Sequence, residues 1–198
     1  TRERQVEIFE RIVAACAKRT QGLQPRVCSG EGSCANGLVS IHAVRAVDEV
    51  IDAFERAGAL RGAGRRTPAL VGGRALVLHS FAGTSDQLQR ALDRGFFVSF
   101  GPRVMRTKRG RSYARAVPED RLLIETDLPS GEGAPFSLDQ WSGAMEETWE
   151  AVLAARFGDA STEEACCARR ACVKFVNEQS ARILCMSPGE CALSSSIF

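Results

Sequence analysis

The sequence predicts an α/β fold made of parallel strand–helix units. Short, continuously apolar segments alternate with longer segments of helical periodicity, the pattern of strands that are covered on both faces by helices. Three of these apolar segments end in a histidine or an aspartate, and glycine follows several of the helical ones. Together these observations favour a parallel sheet over a helical bundle or a β-sandwich.

The helices are predicted from apolar residues that recur at three- and four-residue spacing, as Val6, Phe9 and Val13 do in the first. They cover residues 3–19, 44–58, 84–95, 138–157 and 162–182. The predicted strands cover residues 38–42, 74–79, 96–100 and 121–127. Loops are expected at residues 20–37 and 61–74, which are rich in glycine, and an irregular tail at residues 186–198.

Composition excludes several classes of protein. The chain has 198 residues, a formal net charge of +2 and 44% hydrophobic residues, which is typical of a folded domain and not of a disordered chain. No apolar run reaches the ~20 residues of a membrane span. No G-x-G-x-x-G follows a strand and no Walker-type phosphate loop is present, so a dinucleotide-binding sheet is not favoured.

The eight cysteines are too sparse for a disulfide scaffold, and none forms a C-x-x-C pair. We interpret them as reduced thiols of an intracellular protein, either cytoplasmic or, if Thr1 follows a cleaved transit peptide, mitochondrial. Two alternatives stay open. Cys28 and Cys34 bracket a loop and would bridge in an oxidising compartment, and a zinc site is conceivable among the C-terminal cysteines, Cys166, Cys167, Cys172, Cys185 and Cys191.

The candidate site consists of the polar residues that close three strands: His42, His79 and Asp127. Because ligands of parallel α/β folds bind at the carboxyl ends of the strands, we expect these side chains to converge there. Two imidazoles and a carboxylate suit Zn²⁺, Mn²⁺ or a similar ion, and Asp127 would also take a proton from a bound water. The alternative is that the histidines are structural and that Asp127 caps a helix.

Three strings in this order make the chain recognisable: LVLHSFAG (76–83), GFFVSFG (95–101) and VPEDRLLIETDLP (117–129). They resemble the TatD family of metal-dependent hydrolases and deoxyribonucleases, which belongs to the amidohydrolase-like barrels. SIHAVRA (40–46) and NEQSARIL (177–184) resemble further family segments, so the resemblance covers about residues 1–185.

The resemblance implies a TIM-barrel-type fold, of which residues 1–185 would be the second half of an eight-stranded barrel. It implies that His42 and His79 hold the second of two divalent metal ions (Zn, Mg or Mn) and that Asp127 is both a ligand and the catalytic carboxylate. The implied reaction is hydrolysis of phosphodiester bonds in DNA. Glu125 and Thr126 complete the E-T-D string, but we expect no ligand role for them.

Two family features are not found in the chain: an early strand with His-x-His and a glutamate on the fourth strand. APFSLDQW (134–141) also stands where the family has an Asn-Pro element. We therefore expect the first half of the barrel to come from elsewhere: from an upstream part of the same polypeptide or from a separate chain. The alternative is a catalytically degenerate barrel, recruited as a structural subunit of a larger assembly.

A basic segment follows the third predicted strand. We expect it to meet the backbone of DNA or RNA, and its alternative interpretation is a solvated loop. The residues concerned are Arg103, Arg106, Lys108, Arg109 and Arg111.

Overall fold

A computed structural model of the chain describes residues 1–18, 37–128, 137–158 and 161–184. Its helices are α1 (Arg2–Lys18), α2 (Val47–Arg56), α3 (Ser85–Asp93), α4 (Pro102–Met105), α5 (Lys108–Ala116), α6 (Leu138–Phe157) and α7 (Glu163–Leu184), with a 3₁₀ turn at Glu119–Arg121. Its strands are β1 (Leu38–His42), β2 (Leu70–Val71), β3 (Arg74–His79), β4 (Phe97–Phe100) and β5 (Leu122–Ile124). The α/β class is confirmed and agrees with part of a TIM-barrel-type fold.

The described residues form two compact units. The first contains residues 1–18, 37–78, 83–97 and 181–184, and the second contains residues 79–82, 98–128, 137–158 and 161–180. In neither is a helix long and apolar enough to cross a bilayer. Most of the loop expected at residues 20–37 lies outside the described residues, and so do Cys28, Cys34 and the tail expected at residues 186–198.

In the first unit, β1 lies beside β3 and the two strands start together, since the Ala75 amide donates to the Gly37 carbonyl at 2.9 Å. The prediction of a loop at residues 61–74 was wrong in one respect, because this segment contains the strand β2. This strand pairs with β3 in an antiparallel hairpin, Leu70 opposite Ala75. Gly72 and Gly73, with φ of +64° and +70°, supply the two positive φ angles of a tight hairpin turn.

The core of the first unit contains an aromatic cluster. Phe54 of α2 is 2% exposed and meets Phe9 of α1 and Phe96 edge to face, with ring centroids 5.8 and 6.0 Å apart. Edge-to-face pairs add to the free energy gained by burying the rings. Phe9, which lies on the apolar face predicted for the first helix, therefore packs on α2.

Helix α3 begins at a capping box, in which Thr84 and Gln87 each accept a hydrogen bond from the other's backbone amide. Its Arg90 pairs with carboxylates of α2, including Asp48 at 2.8 Å. Hydrogen bonds from the side-chain amide of Gln87 and from Arg90 hold the pKa of Asp48 below its usual value. These polar contacts fix the position of α3 on α2.

In the second unit, β4 and β5 are parallel, with Ser99 opposite Leu123 and Phe100 opposite Ile124. The basic segment after β4, for which the sequence predicts no helix, forms α4 and α5. Helix α5 begins where the Thr107 hydroxyl accepts from the Gly110 amide at 2.9 Å, and few apolar residues mark it in the sequence. Helix α6 packs against α4 and α5, which buries the little apolar surface they have.

Candidate active site

The carboxyl end of β3 is turned sharply after His79. Ser80 has a φ of +48°, which is uncommon for a residue with a side chain. The neighbouring strand supports this turn, because the Ser80 amide donates to the Ser99 hydroxyl at 3.3 Å and the Phe81 amide to the Ser99 carbonyl at 3.1 Å. The backbone after His79 is therefore held against β4.

The carboxyl end of β5 supplies the carboxylates. The Glu125 amide donates to the Phe100 carbonyl at 3.0 Å, which extends the pairing with β4 by one residue past the strand end. Asp127 then takes a φ of +59°, a conformation that aspartate tolerates better than most residues. The sequence predicts a strand over residues 121–127, but β5 covers only Leu122–Ile124, and the positive φ of Asp127 is incompatible with an extended strand.

His79 lies between two carboxylates. Its Nδ1 atom is 2.7 Å from Glu125 Oε2, and its Nε2 atom is 3.2 Å from Asp127 Oδ1. The side chains of His79 and Glu125 are 21% and 16% exposed, whereas that of Asp127 is 46% exposed. The Asp127 side of the imidazole therefore faces solvent, and the Glu125 side is mostly enclosed.

Two residues at the end of β4 enclose Glu125. The Ser99 hydroxyl donates to Glu125 Oε2, and Ser99 is only 3% exposed. Gly101 lies so close that a Cβ atom on it would be 3.3 Å from Glu125 Cγ. The other oxygen of this carboxylate, Oε1, is buried and makes no hydrogen bond within the part of the chain that the structure describes.

His79 and Asp127 fit a divalent cation as two of its ligands. Nitrogen and oxygen ligands bind Zn²⁺ at about 2.0–2.2 Å, so neighbouring ligands of one ion lie about 3.0–3.5 Å apart. The distance of 3.2 Å between Nε2 and Oδ1 lies in this range. The pair alone does not complete a site: in the described ranges no three His, Cys, Asp or Glu side chains are grouped to hold a metal ion.

The third predicted ligand, His42, is the last residue of β1 and is exposed. It belongs to the first unit, whereas His79 and Asp127 belong to the second. The structure thus brings two of the three predicted site residues together, and the convergence of His42 with them stays a prediction. A zinc site among the C-terminal cysteines also stays untested, because Cys185 and Cys191 lie outside the described residues.

Sequence reasoning missed the contribution of Glu125 and Ser99. Glu125 is two residues before Asp127, and side chains two apart along an extended segment point to the same face. Ser99 is the polar residue inside the apolar run FFVSF, and a polar group buried in a strand needs a hydrogen-bond partner. Both signals are present in the sequence, but neither identifies the partner.

Fold and site together define a class: a parallel α/β protein with imidazole and carboxylate groups at the carboxyl ends of its strands. The chain belongs to the family of TatD related DNases, whose family model matches residues 33–163. The family resemblance predicted from the sequence is thereby confirmed.

Curated relatives agree with this family. The chain is 34% identical over 59 residues to "Deoxyribonuclease Tat-D" of Schizosaccharomyces pombe, an alignment that covers 30% of this chain and 19% of the relative. It is 30% identical over 100 residues to "Uncharacterized metal-dependent hydrolase YabD" of Bacillus subtilis, covering 50% and 34%. It is 39% identical over 56 residues to "3'-5' ssDNA/RNA exonuclease TatD" of Citrobacter koseri, covering 27% and 22%. The chain thus spans about a third or less of the length of these relatives.

Proposed function

We propose that the chain supplies part of the active site of a metal-dependent hydrolase that cleaves phosphodiester bonds in DNA. The approach of His79 Nε2 to Asp127 Oδ1 carries this proposal, since an imidazole nitrogen at the end of β3 and a carboxylate oxygen just past the end of β5 are two groups that could share one cation. Family membership supports it, and so do the relatives named as a deoxyribonuclease and as a metal-dependent hydrolase.

In this proposal His42, His79 and Asp127 hold a divalent cation such as Zn²⁺, Mg²⁺ or Mn²⁺. When bound, such an ion supplies Lewis-acid activation of a water molecule and of a phosphate oxygen. The carboxylate of Asp127, which is the more exposed of the two, would accept a proton from the attacking water. His79 stays a fixed ligand, because its ring is held between Asp127 and the enclosed Glu125.

The proposal includes a partner, which is a chain or domain with the first half of the barrel, its His-x-His and its glutamate. Two observations support it. The alignments cover only 19–34% of the three relatives described above. Within the described residues, β1 has a strand neighbour on one side only. The apolar residues Leu38, which begins β1, and Val44, which lies two residues past its end, are exposed. Exposed strand edges are unfavourable in water unless another element covers them.

Metal removal tests the proposed function. The longest native polypeptide that contains this chain, or the chain purified with the partner that completes the barrel, should release nucleotides from DNA when Mg²⁺ or Mn²⁺ is present. Treatment with a chelator should abolish the release, and added metal should restore it. If the complete, metal-loaded barrel releases no nucleotides, the hydrolase proposal fails and the structural-subunit alternative is favoured.

Basic residues beside the site would bind the phosphate backbone of the substrate. Of the five predicted residues, Arg106 is bound to Glu147 and Arg111 to the Met105 carbonyl, so the guanidinium groups of these two already have a partner within the protein. The side chains of the other three, Arg103, Lys108 and Arg109, are exposed and make no hydrogen bond or ion pair within the described ranges. They follow Gly101, which contacts Glu125, so free positive charge begins close to the site.

The double substitution of Lys108 and Arg109 by alanine should weaken DNA binding. Each phosphate that the protein no longer neutralises reduces the slope of log affinity against log salt by about 0.7–0.9. We therefore expect a slope smaller by about 1–2, measured by fluorescence anisotropy with a labelled oligonucleotide at several salt concentrations. Lys174→Ala, on a 79% exposed side chain of α7, is the control that should leave the slope unchanged. Equal slopes in all three proteins would contradict the role of Lys108 and Arg109.

An intracellular location completes the proposal. Among the described residues, Cys16, Cys166, Cys167 and Cys172 form no disulfide bond. Burial raises the pKa of Cys172 to about 12, so this thiol stays protonated and unreactive at neutral pH. Free thiols are typical of reducing compartments.

A further inference from the structure

The two nitrogens of His79 have different neighbours. Nδ1 is 2.7 Å from a mostly enclosed carboxylate, that of Glu125, and Nε2 is 3.2 Å from the more exposed carboxylate of Asp127. A neutral imidazole carries one hydrogen, and the nitrogen that carries it has no lone pair to offer. Which nitrogen keeps the hydrogen therefore decides which carboxylate His79 can join as a metal ligand.

We propose that Glu125 is a positioning residue, which accepts the Nδ1–H of His79 and so keeps the Nε2 lone pair directed toward Asp127. The proposal rests on the proposed function, in which Nε2 is the atom that ligates the metal. A histidine ligand generally donates its other ring hydrogen to a carboxylate or carbonyl, which fixes the ring and raises its basicity. Glu125 occupies that place.

A series of hydrogen bonds from Ser80 through Ser99 to Glu125 indicates which atoms donate and which accept. The Ser80 amide can only donate, and it donates to the Ser99 hydroxyl at 3.3 Å. The Ser99 hydroxyl in turn donates a hydrogen bond to Glu125 Oε2. An ionised Glu125 can only accept, so the remaining contact of Oε2 at 2.7 Å requires that His79 Nδ1 be the donor.

Burial strengthens the contact of His79 with Glu125 relative to its contact with Asp127. Ser99 is 3% exposed and the Glu125 side chain 16% exposed, whereas Asp127 is 46% exposed. Hydrogen bonds shielded from water are electrostatically stronger than those that compete with it. Ser80 follows His79 directly, so the same chain of bonds fixes both the backbone after His79 and the orientation of its ring.

The tautomer of His79 is measurable in the metal-free chain by long-range ¹H–¹⁵N correlation spectroscopy on protein with ¹⁵N-labelled histidine. The chain has only two histidines, so His42→Gln assigns the signals. At about pH 9, more than two units above the ordinary pKa of histidine, we expect the hydrogen of His79 on Nδ1. In Glu125→Leu it should move largely to Nε2, the tautomer that free imidazole side chains prefer in water.

A matched control replaces a carboxylate of the same unit that does not contact His79. Glu147→Leu removes the partner of Arg106 and should leave the His79 signals unchanged. Ser99→Ala removes the hydroxyl that fixes Glu125 but keeps the carboxylate, so it should give a mixture of the two tautomers. This second variant also serves if Glu125→Leu fails to fold.

The proposal is overturned if wild-type His79 carries its hydrogen on Nε2, or on both nitrogens, under these conditions. It is equally overturned if the Nδ1–H population in Glu125→Leu and Ser99→Ala equals that of the wild type.

Zn²⁺ affinity provides an independent measurement. Removal of such a carboxylate typically costs 10- to 100-fold in metal affinity, so Glu125→Leu should bind Zn²⁺ about 10- to 100-fold more weakly in a titration with a competing chelator. An unchanged affinity would contradict the role of Glu125 toward the metal. If the wild-type protein in its completed barrel binds no Zn²⁺, Mg²⁺ or Mn²⁺, the proposed function fails, while the tautomer measurement on the metal-free chain still decides whether Glu125 positions His79.

Discussion

Asp127→Asn in the complete enzyme is expected to lower the rate of DNA hydrolysis by about 100- to 10,000-fold, the range for removal of a general base. The amide takes no proton from water and is a weaker metal ligand than the carboxylate that lies 3.2 Å from His79 Nε2. Asparagine tolerates the φ of +59° as well as aspartate does, so the turn should keep its shape. The rate of nucleotide release under saturating metal measures the effect, and circular dichroism verifies that the fold is retained.

The matched control is Asp139→Asn, an exposed aspartate in the first turn of α6. It removes the same charge away from the site and should leave hydrolysis within about twofold of the wild type. A folded Asp127→Asn variant that hydrolyses DNA at the wild-type rate would rule out Asp127 as the catalytic carboxylate, whatever the activity of the control.

Gly95→Ala is expected to lower the free energy of unfolding by about 2–5 kcal/mol, the largest decrease in stability that we predict for a single added methyl group. Gly95 joins α3 to β4 with a φ of +76°. A Cβ atom there would lie 2.4 Å from the Thr67 carbonyl oxygen and 2.8 Å from the Ala69 amide nitrogen. Both are backbone atoms, so the loop must move away and break the hydrogen bond from the Ala69 amide to the Gly95 carbonyl.

Gly62→Ala separates the cost of the left-handed backbone conformation from the cost of the steric clash at Gly95. Gly62 has almost the same φ, +77°, but a Cβ on it would meet nothing within 4 Å. This variant should be destabilised only by the ~1–2 kcal/mol of the left-handed conformation. Denaturant unfolding of both variants gives the comparison, and equal decreases in stability would show that the close approach of the backbone at Gly95 contributes nothing.

The regular elements follow from local patterns in the sequence. The apolar runs at residues 38–42 and 74–79 become β1 and β3 with the predicted bounds, and the predicted 138–157 helix becomes α6 (Leu138–Phe157). Apolar periodicity predicts these elements because burial of one face is the main free-energy gain available to a short segment. Helices α4 and α5 were not predicted, because α4 has only four residues and α5 is mostly polar. Packing against α6 stabilises both.

The residue types at the site, and their places at the ends of strands, can be read from the amino-acid order alone. Such a reading predicts that His42, His79 and Asp127 converge because parallel strands bring their carboxyl ends together, and the structure brings His79 and Asp127 together. It does not reveal that Glu125 faces Nδ1 of the same imidazole or that Ser99 fixes Glu125. Those contacts depend on the register of β4 against β5 and on the positive φ at Ser80 and Asp127. Register and turn geometry arise only when residues distant along the chain pack together, and they therefore decide which hydrogen-bonding groups meet.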